Sequence, residues 1–143
     1  MFTIENRVGR LVELRMAAPI APAELDGFHE TVSRIVARHT GQIVVCTDLA
    51  SAKIFDQHTT ARLTAIIRQE STRIERNAFL VGDNAIFSMQ MERIIREAGF
   101  PNRRSFRIPA ELALWLGEVV TTEERHRVTA FLREGAIQRK EQK

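Results

Sequence analysis

Residues 42–60 read QIVVCTDLASAKIFDQHTT, and this stretch decides the fold that we expect. Its first part, residues 43–46, is apolar on both faces and mostly β-branched, which is typical of a strand buried in a sheet between two layers of helices. A polar loop and the start of a helix follow. In open α/β sheets, ligands and partners bind beside the carboxyl ends of parallel strands. The segment that follows this strand is therefore the expected position of a functional site.

The rest of the chain supplies further strands and helices around this central strand. Two N-terminal runs, 2–5 and 11–16, predict a hairpin; in the second, Glu13 and Arg15 alternate with apolar residues, so one face of that strand is expected on the core. Helices are predicted over 23–39, 56–76 and 87–98 and from residue 109, and further strands over 78–81 and 105–108. The predicted fold class is α/β: a mixed four- to five-stranded sheet with an N-terminal hairpin and helices packed on it.

The central stretch resembles the STAS domain (sulphate transporter and anti-sigma-factor antagonist). The buried strand, then Asp48 with Leu49, and then Phe55 with Asp56 at a helix start carry the resemblance. Two later segments, a strand at 78–82 and the run from Phe106 to the Trp-Leu pair at 115–116, are similar to STAS-like and Sec14-like bacterial regulators. The resemblance covers roughly residues 1–118 and implies a STAS-like regulatory domain.

The chain departs from that family at the position of its switch. In the family the second Asp is typically followed by Ser-Ser-Gly, and bacterial regulators are switched by phosphorylation of a serine there. Here Gln57, His58 and Thr59 follow Asp56, so the phosphorylatable serine is absent. Ser51, Thr59 and Thr60 are the remaining hydroxyls that a kinase could modify, and a phosphate in the first turn of a helix is favoured by the helix dipole.

Residues 119–143 lie beyond the resembled domain. Thr121 and Glu124 fit a capping box, which predicts an additional C-terminal helix, followed by a frayed tail from residue 138. This helix is expected either to fold back on the domain or to cross to a second subunit, so a homodimer is one possible assembly.

Composition narrows the functional classes. The 143 residues suit one domain, the net charge is +3, and the arginine cluster Arg103, Arg104 and Arg107 is short, so nucleic-acid binding is not favoured. The single cysteine, Cys46, falls in the central strand and is expected to act as a small apolar residue. No apolar run reaches the ~20 residues of a membrane span, and we expect a cytoplasmic protein.

Catalysis and cofactor binding are not expected. Asp48, Asp56 and His58 could form an acid–base cluster, but Asp56 is placed to cap a helix, and no nucleophile lies beside the histidine in a recognised motif. The four histidines are scattered, without the spacing of a metal site. We therefore predict no enzyme activity, no cofactor and no metal.

Two functional hypotheses follow. The first is a non-enzymatic regulatory or scaffold module for signalling, which binds another regulatory protein through the loop and helix start at 48–62. Its partner-binding or regulatory residues would be Asp48, Ser51, Asp56, Gln57, His58, Thr59 and Arg62. The alternative is a Sec14-like pocket for a lipid or another small apolar ligand. Its lining would be Phe79, Phe87, Met89, Met91 and Trp115.

Overall fold

The computed structural model describes residues 1–17, 20–99 and 101–142. Within them, one sheet is formed by β1 (Phe2–Val8), β2 (Leu11–Ala17), β3 (Ile43–Ser51), β4 (Ile74–Leu80) and β5 (Arg103–Phe106). The helices are α1 (Pro22–Ala37), α2 (Gln57–Gln69), α3 (Ala85–Ala98), α4 (Pro109–Gly117) and α5 (Thr122–Glu141). The strands lie in sequence order, with β1 antiparallel to β2 and the other neighbours parallel. The predicted α/β fold with a mixed sheet and an N-terminal hairpin is confirmed.

The sheet separates two apolar cores, and β3 contributes to both. Successive side chains of a strand point to opposite faces, so Val45 and Leu49 pack toward α1, α2 and α3, whereas Val44 and Cys46 pack toward α4 and α5. All residues of β3 from Ile43 to Leu49 are buried. A strand between two helical layers was the expectation from its unbroken apolar run, and the structure confirms it.

The second helix is shorter than its helical spacing predicts. α2 ends at Gln69, a 3₁₀ turn covers Ser71–Arg73, and β4 begins at Ile74. The Ser71 hydroxyl donates to the carbonyl of Ile67, and no glycine or proline marks the helix end. The prediction of a helix through residue 76 is therefore wrong. Ile74 is buried as predicted, but it is buried as a strand residue paired with Ile43.

The polar side of β2 is not open to water. α5 folds back across the sheet and covers it, so Glu13 is only 3% exposed. The structure thus shows the first of the two expected placements of the C-terminal helix. α5 continues to Glu141 and includes most of the tail. Among the described residues, none of the helices combines the length and apolar character that crossing a bilayer requires.

Candidate partner-binding surface

The loop between β3 and α2 is hydrogen-bonded to a side chain of α3. The main-chain N–H of Phe55 donates to Oε1 of Gln90 at 2.9 Å, and Nε2 of Gln90 donates to the Phe55 carbonyl at 2.8 Å. The same Nε2 lies 3.2 Å from the Thr60 hydroxyl. The Phe55 ring is buried edge-on against Phe87, with centroids 5.4 Å apart. One amide therefore joins the loop, the first turn of α2 and α3.

Asp56 caps α2, as its position in the sequence predicts. Its Oδ1 accepts the main-chain N–H of Thr59 at 2.7 Å. Hydrogen bonds from the main chain and the side chain of Thr59 hold the pKa of Asp56 below its ordinary value. The carboxylate is thereby committed to stabilising the helix start.

The structure brings together most of the predicted partner-binding residues. Gln57 and His58 are exposed on the first turn of α2, and Arg62 forms an ion pair with Asp26 of α1 at 2.9 Å. Ser51, the last residue of β3, is half-buried. Thr59 is buried, so its hydroxyl is not presented to a modifying enzyme in this conformation.

Asp48 is separated from that group because it points to the opposite face of the sheet. It is 1% exposed, and its Oδ2 lies 3.1 Å from Nε of Arg15 and 3.1 Å from Nη1 of Arg139. Its Oδ1 accepts the main-chain N–H of Ala50. The helix that covers it is α5, which the sequence pattern did not connect with this aspartate.

A second ion-pair group lies beside it under α5. Both carboxylate oxygens of Glu13 accept from the guanidinium of Arg127, at 2.5 and 3.2 Å, and these hydrogen bonds raise the pKa of Arg127. The Arg15 guanidinium lies over the Phe131 ring, 4.2 Å from its centroid. Burial, together with the negative charge of Asp48, raises the pKa of the Cys46 thiol far above its ordinary value. The thiol therefore stays protonated and behaves as an apolar core residue.

Three large apolar side chains are exposed where the loop meets α3. Ile54 is 51%, Ile86 66% and Met89 69% exposed. Ile86 lies one helical turn before Gln90, and Ile54 directly precedes Phe55, so these residues belong to the two segments that Gln90 holds together. We call Ile54, Asp56, Gln57, His58, Ile86 and Met89 the carboxyl-edge surface. Ile86 and Met89 fall off the buried stripe of α3 in the sequence, whereas Ile54 had no such signal.

The residues predicted for an apolar ligand pocket do not surround one cavity. Phe79, Phe87 and Met91 belong to the core under α1–α3, Trp115 packs on the other side of the sheet, and Met89 is exposed. The cavity beside Phe79 and Met91 has a volume of about 40 Å³. A water molecule occupies ~30 Å³ of liquid, so this space is far too small for a lipid.

The three arginines that are clustered in the sequence lie in different environments in the fold. Arg103 is buried and donates to the Ile67 carbonyl at the end of α2, and burial lowers its pKa to about 10. Arg104 lies over the Trp115 ring on the other side of the sheet, 5.2 Å from its centroid. Arg107 is exposed beyond the end of β5. They do not form one basic face.

Within residues 1–17, 20–99 and 101–142, no three His, Cys, Asp or Glu side chains cluster as metal ligands would. No known family model matches the chain, and no curated protein matches it either.

Proposed function

We propose that this protein is a non-enzymatic regulatory or scaffold module that binds another protein through the carboxyl-edge surface. Gln90 holds the loop by two hydrogen bonds to Phe55, which we call the Gln90 clasp. The observation that carries the proposal is the exposure of Ile54, Ile86 and Met89 beside this loop. Exposed apolar residues that are grouped, rather than scattered singly, mark interaction sites.

The hydrogen bonds within this surface support the same proposal. Binding costs less when the contacting backbone is already ordered, and here Gln90 and Asp56 fix both ends of the segment from Phe55 to Thr59. The exposed polar side chains of Gln57 and His58 border the apolar residues. An apolar centre with a polar rim is the usual composition of a protein interface.

The resemblance to STAS regulators points to the same loop and helix start. Because the family's serine is absent and Thr59 is buried, we propose that binding here does not depend on phosphorylation at that position. A cytoplasmic signalling role is part of the proposal. The cavity beside the predicted lining residues Phe79 and Met91, at about 40 Å³, does not support the lipid alternative.

The test is an affinity pull-down from lysate of the native host with four proteins: wild type, Ile54→Asp, Met89→Asp and the control Ile137→Asp. Ile137 is half-exposed on α5, so the control introduces the same acid on the other side of the sheet. Exposed substitutions of this kind change the free energy of unfolding by about 0.5 kcal/mol or less, which thermal unfolding verifies.

We expect a specific protein that wild type and Ile137→Asp retain and that both carboxyl-edge variants lose. The proposal fails if all four proteins retain the same partners. It also fails if a lipid co-purifies with every variant while no specific protein does, since that result would favour the apolar-ligand alternative.

A further inference from the structure

A wide apolar groove runs between α4 and α5 on the face of the sheet opposite to α1–α3. Its volume is about 850 Å³. Small side chains contribute to both walls: Ala110, Ala113 and Gly117 on α4, and Thr129 and Ala136 on α5. The α4 residues are spaced by three and four positions and the α5 residues by seven, so each set lies on one face of its helix. The two helices thus meet the sheet at their inner sides but leave the space between their outer sides unfilled.

The groove has a large apolar side chain on its own wall. Leu114 is 75% exposed, the highest exposure among the large apolar residues that the structure describes. A surface that holds both a projecting leucine and a channel of small residues can pack against a copy of itself, because a two-fold interface brings the same patch together from both subunits.

The charges beside the groove would also match those of a second copy, because α4 carries acidic residues and α5 carries basic residues. Glu111 and Glu118 lie three residues before and four residues after Leu114, on the same side of α4. On α5 the groove is bordered by Arg125 and Arg133. At ~1.5 Å per residue, the two acidic residues are ~10.5 Å apart along their helix and the two arginines ~12 Å apart along theirs, so the spacings match.

Most of these charges have no ionic partner within one copy. Among the described residues, Glu111, Arg125 and Arg133 form no ion pair, and Glu118 pairs with Arg76 while its side chain remains largely exposed. One unpaired acidic group on α4 and two unpaired basic groups on α5 are therefore available to a second chain, and the exposed Glu118 can exchange its partner.

We propose that the α4/α5 groove binds the α4/α5 groove of a second copy of this chain, forming a two-fold symmetric dimer. In this arrangement α4 runs antiparallel to α4 of the second copy, and Leu114 enters the channel of small residues. Since α4 and α5 are themselves antiparallel, Glu111 then faces Arg125 of the second copy and Glu118 faces its Arg133. The carboxyl-edge surface lies on the other side of the sheet and stays exposed in the dimer.

Sedimentation velocity of the full chain, from low to high micromolar concentration, tests this dimer. We expect wild type to sediment as a dimer and Leu114→Asp as a folded monomer, with an unchanged circular-dichroism spectrum and a cooperative thermal transition. Met89→Asp, the same kind of change on the carboxyl-edge surface, should leave the dimer intact. A wild type that stays monomeric, or a dimer that Leu114→Asp does not weaken, overturns the proposal.

Charge reversal tests the pairing itself. Glu111→Arg alone and Arg125→Glu alone should each raise the Kd of the dimer about tenfold or more, because each places like charges together. The two substitutions in one chain exchange the charges and should restore dimerisation. If the double variant is as weak as either single variant, the proposed arrangement is wrong. This result is independent of the pull-down, since neither residue lies on the carboxyl-edge surface.

Discussion

The two faces of the sheet are both covered by helices, but different interactions hold the helices in place. In the middle of the α1–α3 face, β2, β3 and β4 contribute apolar side chains and one hydrogen-bonded pair, in which the Thr47 hydroxyl donates to Oδ1 of Asn77 at 3.0 Å. On the α4/α5 face the apolar contacts continue into ion pairs centred on Glu13 and Asp48.

This difference shows what an alternating strand does and does not reveal. Apolar positions identify the side chains that leave water, whichever element covers them. Charged positions such as Glu13 and Arg15 look the same in the sequence whether they face water or an oppositely charged helix. Here the arginines of α5 form ion pairs with Glu13 and Asp48, at positions whose sequence pattern is equally typical of a solvated surface.

The largest expected effect is on the apolar face. Phe87 is fully buried and packs against Phe55, so Phe87→Ala should leave a cavity and lower the free energy of unfolding by about 4 kcal/mol. Urea unfolding measures this change. The control is Ile86→Ala, an exposed isoleucine of the same helix that lies outside both cores. A loss no greater than that of the control would show that the face tolerates a cavity there.

The ionic face should respond to the loss of one charge. Asp48→Asn keeps the shape of the side chain but leaves Arg15 and Arg139 without their carboxylate. We expect the free energy of unfolding to fall by roughly 3 kcal/mol. This is the lower end of the range for a buried ion pair, because both arginines reach water. Asp26→Asn is the matched control, since it breaks an exposed pair with Arg62 and should cost less than about 1 kcal/mol. If urea unfolding shows the same loss of free energy for Asp48→Asn and Asp26→Asn, the buried ion pairs of Asp48 contribute no more than an exposed pair.

The smallest expected effect depends on pH. Burial tends to raise the pKa of Glu124, but hydrogen bonds from the main-chain N–H groups of Thr121 and Arg10 lower it, and the net pKa lies below the ordinary 4.5. Glutamine offers one acceptor where the carboxylate offers two, so Glu124→Gln should lose about 1 kcal/mol at neutral pH.

The pH profile separates this electrostatic contribution from packing. A carboxylate with a lowered pKa stabilises the fold above its unfolded pKa, and the contribution disappears as the pH falls through the folded value. The difference between wild type and Glu124→Gln should therefore be constant above about pH 5 and narrow below 4.5. A gap that stays constant through acid would assign the effect to packing alone.

Much of the fold could be predicted because each element carries its own signal. The apolar run of β3, the caps Asp56 and Thr121, and the spacing in α1 and α3 indicated the right elements. The end of α2 was missed because Arg103 donates to the Ile67 carbonyl in its last turn from 36 positions away in the chain. No local pattern in residues 69–74 distinguishes a continuing helix from a turn and a strand.

The candidate site was predicted in part for the same reason. The loop and first turn of α2 are contiguous, so their residues stay together in the fold. The assignment of Asp48 to that group assumed that residues near the end of one strand share a surface, but strand alternation sends it to α5. The clasp by Gln90 joins residues 35 positions apart, which no spacing rule could indicate.

That clasp also determines how motion would pass through the molecule. The Gln90 amide satisfies both the N–H and the carbonyl of Phe55, as a neighbouring strand would, and so ties this residue to α3. A shift of α3 along its axis would carry Ile54 and the start of α2 with it. A change in the position of α3 would then move the surface that a partner contacts, through the hydrogen bonds of Gln90 with Phe55.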